Sequence, residues 1–286
     1  FPKLNLLHKN NTNALPKAKS TDTHDFGEGS ISGNILRLAI PMTLAQLINV
    51  LYNIIDRIYI GHIPGSGALA LTGVGVCMPL IMIISAFAAL VGNGGAPRAS
   101  ILMGKKDLDS AENILGNCFT MQIIISVILT LIMFFGNRTF LMAFGASENT
   151  IEYAVSYMNI YSLGTIFVQL TLGMNAFITA QGFAKTGMYS VLIGAVINII
   201  LDPIFIFACH MGVRGAALAT IISQACSCIW VLSFLFGTRS TLRIKKQNLT
   251  LKAPVILPCL ALGLSLFIMQ ASESIISVCF NSSLLK

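Results

Sequence analysis

The stretch NIILDPIFIF, residues 198–207, places an acidic residue within an otherwise apolar run. Asn198 precedes Asp202 by four residues, and side chains at that spacing lie on the same face of a helix. Pro203 follows the acid, removes one backbone hydrogen bond and favours a kink, which leaves a carbonyl oxygen near residue 199 available to a cation. The stretch therefore predicts an apolar helix that carries a polar site.

The composition of the whole chain indicates whether this helix lies in water or in a lipid bilayer. The 286 residues are 55% hydrophobic and 10% charged, with a mean hydropathy of +0.79. Soluble domains carry roughly 25% charged residues. The composition excludes a typical cytosolic enzyme, a disordered chain and a secreted disulfide scaffold, and it predicts an integral membrane protein. The net charge of +7 then indicates basic residues at the membrane surface rather than nucleic-acid binding.

Seven apolar runs are long enough to cross a bilayer as helices, since roughly 20 helical residues span its hydrocarbon core. Barrel strands would be shorter, and a helix satisfies its own backbone hydrogen bonds within lipid. The predicted fold class is all-α integral membrane. The predicted spans are residues 36–60, 69–92, 113–135, 151–173, 187–209, 215–236 and 255–278.

The basic residues predict the orientation of the helices. Lysines and arginines number 14 on the side of the N-terminus and 4 on the opposite side. Because cytoplasmic loops are enriched in these residues, we expect a multi-pass protein of the inner (plasma) membrane with a cytoplasmic N-terminus.

Two proline–acid pairs suggest an internal repeat. Pro41 precedes Asp56 by 15 residues, Pro258 precedes Glu273 by 15 residues, and the two pairs are offset by 217 residues. A parallel repeat of this kind is typical of some transporters. We therefore expect a polar tail, a six-helix lobe, a basic cytoplasmic linker and the first helix of a second lobe, at residues 1–30, 31–236, 237–254 and 255–286.

Three of the eleven acidic residues, Asp56, Asp202 and Glu273, fall inside predicted spans. A carboxylate at the centre of a membrane helix costs on the order of 2.5–3.5 kcal/mol, so such groups normally mark an ion or proton pathway. Alternative interpretations stay open at this point. Asp56 adjoins Arg57 and could be an interfacial charge, while Glu273 lies among serines near the end of the chain.

Depth in the membrane predicts which polar groups converge. Asp202 and Thr220 are each nine residues from Met211, at the centre of a short turn, so they share a level in an antiparallel hairpin. Asn198 lies on the face of Asp202, and Asp56 is expected at a similar depth. Such an oxygen-only cluster suits a hard cation such as Na⁺, and two carboxylates in a dry site could bind a proton instead.

The other motifs of the sequence are interpreted as structural rather than as binding or catalytic sites. GNGGAPRAS, residues 92–100, lacks the Gly-Lys-Ser/Thr of a phosphate loop and is interpreted as the inner end of the second helix. The seven cysteines are interpreted as small buried hydrophobes, and their spacing does not support a zinc site. In MGKKDLDSAEN, residues 103–113, we expect Asp109 or Ser110 to cap the next helix.

Four separated stretches, in order and over most of residues 26–286, resemble the bacterial multidrug and toxic compound extrusion (MATE) transporters. They are AIPMTLAQLINVLYNIIDRIYIG at 39–61, GNGGAPRASILMGKKDLDSAEN at 92–113, NIILDPIFIF at 198–207 and MGVRGAALATIISQ at 211–224. The resemblance implies a fold of twelve helices in two six-helix lobes around a central cavity. It also implies export of organic cations or amphipathic drugs in exchange for Na⁺ or H⁺, without another cofactor.

The resemblance assigns roles to six residues. Asp56, Asn198, Asp202 and Thr220 match the family's cation site, where Na⁺ or a proton would bind. Pro41 matches the proline associated with bending of the first helix, and Glu273 resembles an acid of some members that serves substrate or coupling. Helices 8–12 of the family are not present in this sequence, so a missing C-lobe or partner half is expected to be needed.

The expected function is a multidrug efflux transporter, with small cationic or amphipathic molecules and membrane lipids as partners and no nucleic acid. One alternative is a flippase of lipid-linked precursors, which would be expected to carry basic residues in its cavity. A second is a seven-helix receptor, whose N-terminus would usually lie outside. An intramembrane enzyme has least support, because no His–Glu pair or Ser–His arrangement falls inside the spans.

Overall fold

A computed structural model describes the backbone of residues 31–284 and the side chains of residues 32–279, so the predicted polar tail at 1–30 lies outside the described residues. The described chain is built from long helices joined by short turns. They are α1 (Ile31–Gly61), α2 (Gly67–Gly104), α3 (Leu108–Ala143), α4 (Ile151–Leu163), α5 (Thr165–Ala180), α6 (Ala184–Pro203), α7 (Val213–Phe236) and α8 (Ala253–Leu284).

Most of these helices are long and apolar enough to cross a membrane. Within residues 31–284, six spans meet that description, and the bent pair α4–α5 makes a seventh when counted as one. The prediction of an all-α, multi-pass membrane protein is confirmed. Several helices extend beyond the predicted spans. The 38 residues of α2 rise about 57 Å, well beyond the roughly 30 Å of the hydrocarbon core.

The fourth predicted span, residues 151–173, is not one straight helix. It is divided into α4 and α5, which meet at Gly164 with a bend of 58°. A Cβ atom on Gly164 would overlap the side chain of Ile221 on α7. Glycine is a weak helix former and leaves space for that side chain, so α4 can bend around α7 at this point.

Two sets of helices organise the bundle. One set has α2 at its centre, packed against α3, α5 and α8, while the other places α1 against α6 and α6 against α7. The α6–α7 connection contains a π-helical turn, Ile204–Ala208, directly after Pro203, and then a tight turn in which His210 and Gly212 have positive φ. The antiparallel hairpin expected around Met211 is therefore present.

The basic segment between α7 and α8 is fixed to the ends of other helices. The Oε1 atom of Gln181 accepts hydrogen bonds from Ser240 Oγ at 2.9 Å and from the Leu242 amide at 2.8 Å. The buried carboxylate of Glu112 pairs with Lys245 and accepts from the Arg243 amide at 3.3 Å. These contacts give the segment a defined position against α3 and the end of α5.

The expected cap of α3 is wrong by a few residues. Asp107, rather than Asp109 or Ser110, precedes the first turn, and its carboxylate accepts a hydrogen bond from the Ser110 amide at 3.1 Å. This hydrogen bond stabilises the charged form and holds the pKa of Asp107 below its ordinary value. Asp107 is the cap because the helix begins at Leu108, so Ser110 already lies in the first turn.

Candidate cation site and ligand cavity

Two carboxylates meet inside the bundle. Asp56 lies five residues before the end of α1 at Gly61, and Asp202 lies next to the end of α6. Asp202 is fully buried and Asp56 is 7% exposed. Because α1 packs against α6, the two carboxyl groups face each other within reach of a shared hydrogen bond. The structure therefore brings together the two acids expected at a similar depth.

Asn198 belongs to the same cluster. Its Nδ2 donates a hydrogen bond to Asp202 Oδ1 at 3.3 Å across one helical turn, as the spacing predicts. Three buried oxygens at this point have no hydrogen-bond donor in the described part of the chain: Asp56 Oδ1, Asp202 Oδ2 and Asn198 Oδ1. Buried acceptors normally have a partner, so this arrangement is suited to a bound cation or proton.

Thr220 lies at the edge of the cluster. Its hydroxyl donates to the Ala216 carbonyl at 3.0 Å on its own helix, and it also lies beside the Tyr157 hydroxyl. Tyr157 is itself close enough to Asp56 to interact with its charge. Thr220 therefore adjoins the acid pair through Tyr157.

Three tyrosines near the acids were not predicted from the sequence to belong to the site. Tyr52 lies near both Asp56 and Asp202, while Tyr157 and Tyr161 of α4 stack with ring centroids 6.0 Å apart. Tyr52 precedes Asp56 by four residues, which was a signal that the two share a helix face. The contribution of α4 depends on its packing against α7 and could not be predicted from spacing.

Basic residues do not neutralise the pair by direct contact. Within the described side chains the ion pairs are Arg138–Glu152 at 2.8 Å and Lys245–Glu112, and neither includes these acids. Arg57 influences Asp56 through its charge, but its side chain is exposed. The described residues also contain no group of three or more His, Cys, Asp or Glu suited to a metal. Any cation here would be held by two carboxylates and neutral oxygens.

Pro41 and Glu273 lie away from this cluster. Pro41 is buried within α1, which continues through it as a helix. Glu273 is exposed on α8, and the neighbouring Ser274 donates to the Pro79 carbonyl of α2 at 2.9 Å. The structure therefore does not bring Glu273 to the acid pair, and the two members of the suggested repeat, Asp56 and Glu273, have different surroundings.

A cavity of about 350 Å³ lies beside the cluster, between α1, α5, α6 and α7. Tyr52 lines it and also neighbours both acids, so the cavity and the acid pair share a wall. Asn175 and Gln224 line it as well, and their side-chain oxygens are buried without a donor among the described residues. A second, more open cavity of about 610 Å³ adjoins the first, since Met42 and Thr179 line both.

The fold and this site define an α-helical, multi-pass membrane protein with a buried carboxylate pair beside an uncharged cavity. A family model described as MatE matches residues 41–204, more than half of the chain. The chain belongs to this family, the MATE family, whose members are transporters rather than enzymes.

Relatives and solved structures agree with this membership. The multidrug export protein MepA of Staphylococcus haemolyticus is 27% identical over 90% of this chain and 56% of its own length. A structure described as the outward-facing conformation of a multidrug resistance MATE family transporter of the MOP superfamily has a TM-score of 0.80 and 28% identity. The alignment covers 86% of this chain and 54% of the chain in that structure.

A structure described as MATE in the bent conformation has a TM-score of 0.79 and 29% identity, over 86% of this chain and 55% of its own. The chain thus spans little more than half the length of these relatives. Membership of a transporter family argues against the receptor alternative.

Proposed function

We propose that this protein exports organic cations or amphipathic drugs in exchange for Na⁺ or H⁺, which binds at Asp56, Asn198, Asp202 and Thr220. The observation that carries the proposal is the buried, facing pair Asp56 and Asp202, to which no basic side chain among residues 32–279 is bonded. A permanent salt bridge would have indicated a structural role. An uncompensated pair in apolar surroundings indicates an exchangeable positive partner.

The cation acts on the contact between two helices. Without it, the charges of Asp56 on α1 and Asp202 on α6 repel each other at short range. Binding of Na⁺ or a proton removes that repulsion and favours the conformation in which α1 packs closely against α6. Pro41 cannot donate its backbone hydrogen bond, so α1 can bend there when the contact changes. The ion shifts this equilibrium only by its differential affinity for the two states.

The adjoining cavity supports a cationic or amphipathic substrate. Its walls combine apolar side chains such as Met42 and Met188 with amide oxygens of Asn175 and Gln224, which can accept hydrogen bonds from an ammonium group. Neither described cavity is lined by a lysine or arginine, whereas a flippase of lipid-linked phosphates would be expected to present such residues. The names of the relatives as multidrug export proteins agree with this substrate class.

We further propose that α8 is the first helix of a second lobe, since this chain covers little more than half the length of its relatives. Transport then requires that lobe, either in the same polypeptide or from a partner half. The excess of basic residues on one side of the spans supports a cytoplasmic N-terminus in the plasma membrane.

Ethidium efflux from cells that produce the complete transporter tests the proposal. Asp202→Asn keeps the size and removes the negative charge, so export should be lost. Asp109→Asn, an exposed acid in the first turn of α3, is the matched control and should export normally. Unchanged export by Asp202→Asn would contradict the assignment of this site.

A further inference from the structure

Two cysteines and an arginine meet where three helices cross. Cys118 of α3 and Cys259 of α8 are both fully buried, and their thiols face each other closely enough to interact. Gly94 and Gly95 of α2 provide the space. A Cβ atom on Gly95 would lie 2.5 Å from Cys118 Sγ, and one on Gly94 would overlap the Cys259 carbonyl oxygen. The two glycines of α2 thus allow the Cys118 sulfur of α3 and the Cys259 backbone of α8 to approach neighbouring positions on one helix.

Arg98 supplies a positive charge to this pair. It lies one helical turn after Gly94, and its Nη1 donates to Cys259 Sγ at 3.7 Å and to the Val255 carbonyl at 3.5 Å. A guanidinium beside a sulfur stabilises negative charge on it, and the thiolate is the nucleophile in disulfide chemistry. A cation next to a pair of facing thiols distinguishes a reactive dithiol from cysteines that only fill space.

The other buried cysteines provide the contrast. The Cys77 thiol donates to the carbonyls of Gly73 at 3.4 Å and Ala154 at 3.5 Å. Cys228 is buried near Thr171. Within the described side chains, neither Cys77 nor Cys228 faces a second thiol or an arginine. They fit the interpretation as small hydrophobes, whereas Cys118 and Cys259 do not.

We propose that Cys118 and Cys259 form a redox-active dithiol, which hydrogen peroxide converts into a disulfide that ties α3 to α8. The Cys259 thiolate attacks the peroxide, the O–O bond breaks, and a sulfenic acid forms as the first water is released. The Cys118 thiol then attacks that sulfur, the S–S bond forms and the sulfenic oxygen leaves as the second water. In total the two thiols lose two electrons and two protons, and hydrogen peroxide is reduced to two waters.

The location of the pair gives the bond a structural consequence. Cys259 is the seventh residue of α8, about 9 Å from the start of that helix, and Arg98 lies near the end of α2. Since α8 packs against α2 and α3, a disulfide would fix α8 against the preceding helices. A thiol reductant would release it.

Limited digestion of the purified protein tests the proposal, because trypsin sites between α7 and α8 separate the two cysteines. After treatment with hydrogen peroxide and then trypsin, the fragments containing Cys118 and Cys259 should migrate together without reductant and separate after dithiothreitol. Mass spectrometry should identify residues 107–138 joined to residues 253–286 through Cys118 and Cys259. Separate fragments, with either cysteine left free or oxidised singly to sulfinic acid, would overturn the proposal.

Variants locate the bond. Cys118→Ser and Cys259→Ser should each lose the joined product completely, whereas Cys77→Ser, at an equally buried single cysteine, should keep it. Persistence of the joined product in Cys118→Ser would also overturn the proposal, since it would show another cysteine as the partner. The result for the unmodified protein decides the question even if a serine variant fails to fold.

Discussion

The carboxyl groups of Asp56 and Asp202 face each other where the end of α1 packs against the end of α6, although the two residues are far apart in the chain. Two charges of the same sign at this separation in apolar surroundings destabilise the empty site. Within the described part of the chain, each of these acids and Asn198 has a buried oxygen without a donor, which leaves a place where a cation would be favourable. The unoccupied protein should therefore be less stable than the cation-bound protein.

This relationship predicts a thermal shift on ion binding. At a free cation concentration of 100 times its dissociation constant, binding adds about 2.7 kcal/mol to the free energy of unfolding, which should raise the Tm by roughly 5–11 °C. Thermal unfolding of the purified protein in NaCl against equimolar KCl measures the effect of Na⁺, and acidification measures that of protons. Asp202→Asn should lose the increase and Asp109→Asn should keep it. An increase of the same size in Asp202→Asn would show that the stabilising ion binds elsewhere.

The sequence predicted this site in part. Asn198 and Asp202 share a face because their spacing is one helical turn, and Asp202 and Thr220 share a level because they are equidistant from one turn. Both inferences are local; the structure contains the Asn198–Asp202 hydrogen bond, and it places Thr220 beside Tyr157 at the edge of the cluster. Tyr52 also shares a helix face with Asp56 by spacing, whereas the places of Tyr157 and Tyr161 required the rotation of α4 about its own axis, which depends on packing between distant segments and has no signal in local spacing.

Tertiary contacts also explain where the structure differs from the fold expected from the sequence. The span at 151–173 has the hydropathy of one helix, but Ile221 of α7 occupies the space beside Gly164 and the chain bends there. Cys118 and Cys259 were interpreted as separate buried hydrophobes because their pairing joins segments on either side of the linker. Composition was enough to predict the membrane fold class, because hydropathy is summed along the chain. The bend at Gly164 and the proximity of Cys118 to Cys259 depend instead on which helices are in contact.

The crossing of α2 and α8 predicts a large difference between two glycines on one helix. A Cβ atom on Gly94 would overlap the Cys259 carbonyl oxygen, whereas one on Gly75 would meet nothing within 4 Å. Gly94→Ala should lower the free energy of unfolding by about 1–3 kcal/mol through overpacking. Gly75→Ala should be neutral or stabilising by up to about 1 kcal/mol, because alanine is the better helix former. Equal Tm values for the two variants in thermal unfolding would contradict this close contact.

The contacts of the linker between α7 and α8 predict that Lys245 stabilises the protein and that its neighbour Lys246 does not. Lys245 is the ionic partner of the buried Glu112 carboxylate, while Lys246 is exposed. Lys245→Met should cost about 1–3 kcal/mol, since Glu112 would keep its burial and lose its charged partner. Lys246→Met should change stability by less than about 0.5 kcal/mol.

A double-mutant cycle measures the interaction between the two groups. If Lys245→Met acts by leaving Glu112 uncompensated, Glu112→Gln combined with Lys245→Met should recover part of the lost stability. Thermal unfolding gives the stability of each variant, and the rate of tryptic cleavage between α7 and α8 reports release of the linker. Strictly additive losses in the double variant would contradict an interaction between Lys245 and Glu112.

The uncharged cavity predicts how substrate charge is recognised. The Gln224 side-chain oxygen is buried in the cavity wall and has no donor in the part of the chain that the structure describes, so it is available to an ammonium group of a substrate. Gln224→Leu keeps a similar volume and removes the acceptor. A hydrogen bond to a charged group contributes about 1.5–3 kcal/mol, so the affinity for a cationic drug should fall by roughly 10- to 150-fold.

Binding titrations of the purified protein with ethidium and with an uncharged amphipathic dye of similar size separate charge recognition from shape. Gln224→Leu should weaken ethidium binding and leave the uncharged dye nearly unaffected, because the apolar walls of the cavity are retained. Gln270→Leu, at a half-buried glutamine of α8 outside the cavity lining, should bind both ligands normally. Equal weakening for the two ligands would indicate that Gln224 only shapes the cavity, and an unchanged affinity for ethidium would place the cation elsewhere.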